Sequence, residues 1–165
     1  MNTNTVNFGI DLGTTNSAIA RMTVKGAEII PVKRQNYIAS AVAVSKRGDI
    51  KVGEDALRSD FLPIARWFKR LMGTQNTLEL ADGSAWSPER LSAEVLKALK
   101  AAAVLKTNEE VVDIVITIPA MFNQPQCAAT QAAAELAGLN AVVLLQEPIA
   151  AATAYLSDEI GRAHV

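Results

Sequence analysis

Val6, Phe8, Ile10 and Leu12 alternate with other residues, the two-residue period of a strand with one buried face. Thr14-Thr15-Asn16-Ser17 supplies turn chemistry. Strand-like residues resume over 17–22 and again over 28–32, so the opening predicts a hairpin followed by a third strand. Residues 41–44 and 50–53 predict two short strands around a turn at Arg47-Gly48-Asp49, and residues 54–60 and 63–72 have helical patterns. Residues 74–86 are polar, with Asp82-Gly83 placed to turn a small hairpin. A strong helix then opens at Ser87-Pro88-Glu89. Ser87 can cap it, Pro88 fits its first position, and Glu89 suits the positive end of its dipole. Leu91, Val95, Leu99 and Ala102 carry its apolar face to about residue 106. Residues 111–118 form a β-branched run that predicts a buried strand, ended by Pro119. Asn123-Gln124-Pro125 starts a further helix, which runs to 137 and stops at Gly138. Residues 141–145 predict another buried strand, and Glu147-Pro148 opens an alanine-rich helix to about 156. Strand, helix, strand, helix over 111–156 predicts an α/β unit with parallel strands.

Composition narrows the classes. The chain has 165 residues, 50% of them hydrophobic and 20% charged, enough for one sizeable core and unlike disordered, collagenous or disulfide-scaffold sequences. One cysteine excludes an internal disulfide and a multi-cysteine metal site. His164 is the one histidine, which argues against a Ser-His-Asp triad and a multi-histidine zinc site. The net charge of -1 argues against a nucleic-acid partner. Residues 24–70 are locally positive, with ten basic and five acidic side chains; a solvated basic face and a phosphate-directed surface are both open readings. No apolar run reaches membrane-spanning length, and residues 1–7 lack the pattern of a secretory signal. A cytoplasmic location without a membrane partner is therefore expected.

Candidate chemistry lies in four places. At Asp11-Leu12-Gly13-Thr14-Thr15-Asn16-Ser17 a strand delivers a carboxylate beside a tight turn. Successive N–H groups there can form an anion-binding nest, and Asp11 could hold a hydrated Mg²⁺. The chain contains neither a P-loop nor a G-x-G-x-x-G motif, and a plain hairpin turn is the competing reading. Lys69 sits on an otherwise apolar segment and can reach a cleft as a point charge for phosphate, or simply lie on the surface beside Arg70. Glu147 stands where a buried strand meets a helix, a place where ligands bind in α/β sheets. It could orient an attacking water or serve only as a helix N-terminal acid. Cys127, in an alanine-rich helix, reads as a small packing residue, with an activated thiol as the alternative.

Together these segments resemble one family. Phe8 to Ser17 is similar to the first phosphate loop of the heat-shock protein 70 chaperones (DnaK-type). Phe68-Lys69-Arg70-Leu71-Met72-Gly73 is similar to their catalytic-lysine segment. Ile116-Thr117-Ile118-Pro119-Ala120-Met121-Phe122-Asn123 and the stretch from Ala137-Gly138-Leu139 to Gln146-Glu147-Pro148-Ile149-Ala150-Ala151-Ala152 resemble two later signatures, in the family's order and spacing. The resemblance implies the first lobe of an actin-like (ribonuclease H-like) α/β ATPase. Gly13, Thr14, Thr15 and Asn16 would cradle the phosphates of ATP or ADP, and Asp11 would face Mg²⁺ through water. Lys69 would also stabilise the transferring phosphoryl, and Glu147 would help position water. It further implies an ATP-dependent chaperone active in protein folding and the stress response. Unfolded client peptides would bind a domain beyond these residues, and the expected partners are a J-domain co-chaperone and a nucleotide-exchange factor.

The sequence departs from the family at several positions. Ile38-Ala39-Ser40 stands for the usual Thr-Pro-Ser, Met121 for Tyr and Ile149 for Thr. Cys127 stands where the family has an Arg that works with the proline matching Pro119 to relay nucleotide state; a thiol offers neither that charge nor a bidentate donor. The expected organisation is a nucleotide-binding core from 1–35 plus 110–158, a small α/β subdomain inserted at 36–109, and a truncation tail at 159–165. Alone, the chain is expected to show little or no ATPase. A sugar or acid kinase relative on the same fold, and a non-enzymatic lobe acting as a binding module, are the alternatives.

Overall fold

The structure, a computed structural model, describes residues 6–150. Strand β1 (Phe8–Leu12) turns at Gly13–Thr15 and pairs antiparallel with β2 (Asn16–Thr23), which pairs antiparallel with β3 (Gly26–Ile30). Phe8, Ile10 and Leu12 are buried, as the alternation predicts. A two-residue strand β4 (Ile38–Ala39) adds to the start of β2, with Asn16 opposite Ala39. Next, β5 (Ala41–Val44), all four residues buried, pairs with β6 (Ile50–Val52) across the expected turn. A short helix α1 (Glu54–Leu57) follows.

Two helical expectations fail in this region. Residues 54–60 are helical only to Leu57. Residues 63–72 do not form an α-helix: Ala65–Arg66 is a strand, β7, paired with β5, and Phe68–Leu71 is a 3₁₀ turn. The spacing of Ile64, Phe68 and Met72 fits a helix, but β5 captures Ala65 and Arg66 as a ladder partner. Trp67 then takes a left-handed backbone at φ 56°, which an α-helix cannot contain. Tertiary pairing has overridden a local pattern.

The predicted small hairpin is present as β8 (Leu78–Glu79) and β9 (Ala85–Trp86). Helix α2 (Pro88–Thr107) begins as expected: the Ser87 hydroxyl accepts the Arg90 N–H at 3.2 Å. Its buried face runs Leu91, Val95, Leu99 and Ala103, so Ala103 takes the place expected for Ala102. Strand β10 (Asp113–Ile118) alternates buried and half-buried positions. Helix α3 (Gln124–Leu136) opens with a reciprocal cap between Asn123 and Gln126. It ends before Gly138, at φ 68°, whose carbonyl accepts Lys100 Nζ at 2.8 Å. Strand β11 (Asn140–Gln146) leads into helical residues 147–150; the rest of the expected last helix lies outside the described residues, as do the expected tail at 159–165 and His164.

The main sheet has the order β11-β10-β1-β2-β3. The β1–β10 and β10–β11 pairs are parallel, as the α/β unit requires, and the hairpin pairs are antiparallel. Helices α2 and α3 pack on one another, with Ala103, Ala133 and Ala134 fully buried. Small side chains allow that close approach. No helix among the described residues is long and apolar enough to cross a membrane.

Candidate functional site

Because β1, β10 and β11 are parallel, their carboxyl ends share one edge of the sheet, the usual place for a ligand in α/β proteins. Asp11 near the end of β1 and Thr117 near the end of β10 are register partners. The Thr117 hydroxyl donates to Asp11 Oδ1 at 2.7 Å. Glu147 follows β11 directly. A cleft of about 600 Å³ opens along this edge, lined by Asp11, Gly13, Thr14, Lys69, Thr117, Pro119, Glu147 and Ala150.

Lys69 enters the cleft from the 3₁₀ turn and is only 4% exposed, so the surface reading of this lysine does not hold. Phe68 and Met72 anchor the turn in the core at 1% and 0% exposure. Lys69 Nζ lies 3.3 Å from Glu147 Oε1 and 5.4 Å from the centroid of the Phe122 ring. Gly73 seats the turn against α3. A β-carbon there would lie 2.8 Å from the Gln126 nitrogen and the Pro125 carbonyl carbon, so only glycine allows this contact at φ 73°.

The turn after β1 is equally tight. A β-carbon on Gly13 would come within 2.0 Å of the Asn16 carbonyl oxygen. Thr15 and Asn16 are exposed on the turn, but neither lines the cleft. Cys127 is half-buried in the first turns of α3, also outside the cleft lining. Of the predicted site residues, the cleft therefore gathers Asp11, Gly13, Thr14, Lys69, Pro119 and Glu147. Sequence reasoning assigned no role to Thr117; its place on the half-buried face of β10, level with Asp11, is the signal that marks it.

The basic stretch resolves residue by residue. Lys33 pairs with Asp55, Lys51 lies 4.3 Å from the centroid of the Phe61 ring, and Arg66 lies 4.6 Å from that of Trp67. Those cations serve local contacts, and Lys69 alone among the ten lines the cleft. Among the described residues no group of three or more His, Cys, Asp or Glu side chains is placed to hold a metal ion.

Residues 7–161 match the family described as Hsp70 protein. The chain belongs to this family. It is 43% identical over 159 residues to the "Chaperone protein DnaK" of Thermotoga neapolitana, covering 93% of this chain and 26% of the relative. The corresponding protein of Thermotoga maritima is 42% identical over the same shares. The chain thus spans about a quarter of the length of the curated relatives it matches. The mixed sheet with its flanking helices agrees with the actin-like ATPase fold of the Hsp70 family.

Proposed function

We propose that this chain is the N-terminal, ATP-binding lobe of an ATP-dependent Hsp70-type chaperone. One observation carries the reading: a single cleft gathers Asp11, the Gly13–Thr14 turn, Lys69 and Glu147 from segments far apart in sequence. In this reading the exposed turn supplies N–H and hydroxyl donors to the phosphates of ATP or ADP, with Thr15 and Asn16 completing the cradle beside Gly13 and Thr14. Lys69 places an ammonium against the transferring phosphoryl. Glu147, half-exposed at 46%, is open to water and suited to orient an attacking molecule. Positioning and electrostatics of this kind supply most of the catalysis in phosphoryl transfer.

The charge inventory supports a metal requirement. The cleft carries two carboxylates, Asp11 and Glu147, against one ammonium, so a polyphosphate entering alone meets a net negative wall. Mg²⁺ binds through few carboxylates and retains water. Asp11, exposed and held at one oxygen by Thr117, fits that style of binding. When bound, the ion would neutralise phosphate charge.

The wider reading follows the relatives named above. Residues 1–35 with 110–158 would form the nucleotide-binding core and 36–109 an inserted subdomain, supported by the separate sheet of β5, β6 and β7. Client peptides, a J-domain co-chaperone and a nucleotide-exchange factor would be the partners, in the cytoplasm. Cys127 would leave relay through Pro119 without the family's arginine. The isolated chain should hydrolyse little ATP, because Asp11 and Glu147 remain open to solvent and preorganisation is incomplete. Thermal denaturation with and without Mg-ATP tests the reading. A raised midpoint in the unsubstituted chain, lost in Lys69→Ala, is expected; no shift at millimolar Mg-ATP would refute it.

A further inference from the structure

Two buried serines lie beneath the turn that follows β1. Ser17 and Ser40 are 1% and 3% exposed, yet neither belongs to the cleft lining. Their hydroxyls are 2.9 Å apart. The Gly13 N–H donates to Ser17 Oγ at 3.1 Å, and Ser40 Oγ donates to the Gly13 carbonyl at 2.7 Å. Each hydroxyl has one proton. Ser40 has given its proton to Gly13, so the proton between the serines belongs to Ser17. The direction of the whole cycle is thereby fixed: Gly13 N–H to Ser17, Ser17 to Ser40, Ser40 to Gly13 C=O. One residue is held at both ends by a closed ring. The Ser40 N–H adds a bond to the Thr15 carbonyl at 2.7 Å, tying down the far end of the turn.

Two consequences follow for the nest of N–H groups. The Gly13 N–H is committed inward and is not a donor for an anion. The backbone N–H groups of Thr14 and Thr15 have no hydrogen-bond partner among the described residues. We propose that Ser17 and Ser40 are positioning residues, which lock the Gly13 peptide so that the Thr14 and Thr15 amides are held toward a phosphate. The proposal deepens the nucleotide reading and rests on it. It also explains the burial: two hydroxyls are kept dry without an orphaned donor because the ring satisfies them. Loss of either leaves a buried polar group unpaired.

The test uses the full chain and two readouts. Hydrogen exchange at the Gly13 amide reports the lock; Mg-ATP affinity reports its use. Ser40→Ala should speed Gly13 exchange about tenfold or more and weaken Mg-ATP binding by about tenfold, the size expected for one buried hydrogen bond. Ser45→Ala is the control. Ser45 is also buried, at 8% exposure, and its hydroxyl bonds Asp49 in the β5–β6 turn. It should lower stability without moving either readout, because a global loss does not change local opening at Gly13. If Ser40→Ala does not fold, Ser17→Ala breaks the same ring and carries the same expectation. Unchanged Gly13 exchange, or faster exchange with unchanged Mg-ATP affinity, overturns the proposal. Failure of the unsubstituted chain to bind Mg-ATP instead refutes the function reading, and that result is seen without any serine variant.

Discussion

Lys69→Met separates stability from function at one position. Lys69 is 4% exposed, whereas its partner Glu147 is 46% exposed at 3.3 Å. Coulomb attraction at that distance, with an effective dielectric near 20, is about 5 kcal/mol. Removing an ammonium from water costs several kcal/mol after relaxation, so the two terms nearly cancel. When the lysine is replaced, Glu147 is already wet and loses little. A methionine of similar length fills the same space and buries apolar surface, contributing about 1 kcal/mol. The expected result is a melting temperature unchanged or raised by about 2–4 °C for a chain of this size, measured by circular dichroism.

Ligand linkage should show the opposite sign. At a concentration one hundred times its Kd, Mg-ATP stabilises the unsubstituted chain by about 2.7 kcal/mol. Loss of one charge-assisted phosphate contact raises Kd by up to about a hundredfold. The same ligand concentration then contributes about 0.4 kcal/mol, so the nucleotide-induced shift nearly disappears. A Lys69→Met protein that melts more than about 4 °C below the unsubstituted chain would refute the reasoning: Lys69 would then be a structural pivot. So would a variant that keeps the full Mg-ATP shift.

Three further outcomes can be checked directly. Gly73→Ala places a β-carbon 2.8 Å from the backbone of Gln126 and Pro125 at φ 73°; it should lower stability by about 2 kcal/mol in urea titration and weaken Mg-ATP binding by unseating the Lys69 turn. The Asp82 carboxyl is held below the ordinary aspartate range, chiefly by the Ser84 hydroxyl and then by the Ser84 N–H. A lowered folded value means that this contribution is present above the unfolded pKa and lost as pH falls through the folded one; an NMR titration of Asp82 should show the low midpoint, and Ser84→Ala should raise it. Chelating the divalent ion should abolish the ATP-induced thermal shift, and addition of Mg²⁺ should restore it.

Much of the fold was legible where local and tertiary forces agree. Alternation at Phe8, Ile10 and Leu12, the Ser87 cap and the Asn123 start each name their element because capping and periodicity act within a few residues. The stretch 63–72 was not legible, since its outcome depends on β5, more than twenty residues upstream. The cleft was legible in part. Asp11 and Glu147 stand at strand ends, which sequence can locate, and the parallel register then brings Thr117 beside Asp11. The Ser17–Ser40 ring left no local signal: two serines 23 positions apart become partners only when β4 meets β2.

Lys33, Lys51 and Arg66, with an acid or an aromatic ring beside them, occupy contacts that any stable surface can use. Lys69 has an acid partner too, but a half-exposed one, while the lysine itself is nearly dry. A pair so uneven gains less than a fully enclosed pair, because water screens the glutamate side. The fold therefore keeps a buried cation whose present partner does little more than offset its desolvation. A phosphate oxygen arriving in the cleft would be a stronger partner for that ammonium. The half-exposed Glu147 could then swing toward water while Lys69 stays fixed between Phe68 and Met72. On this reasoning the buried lysine is the cost of a site, and Lys69→Met recovers it by giving the site up.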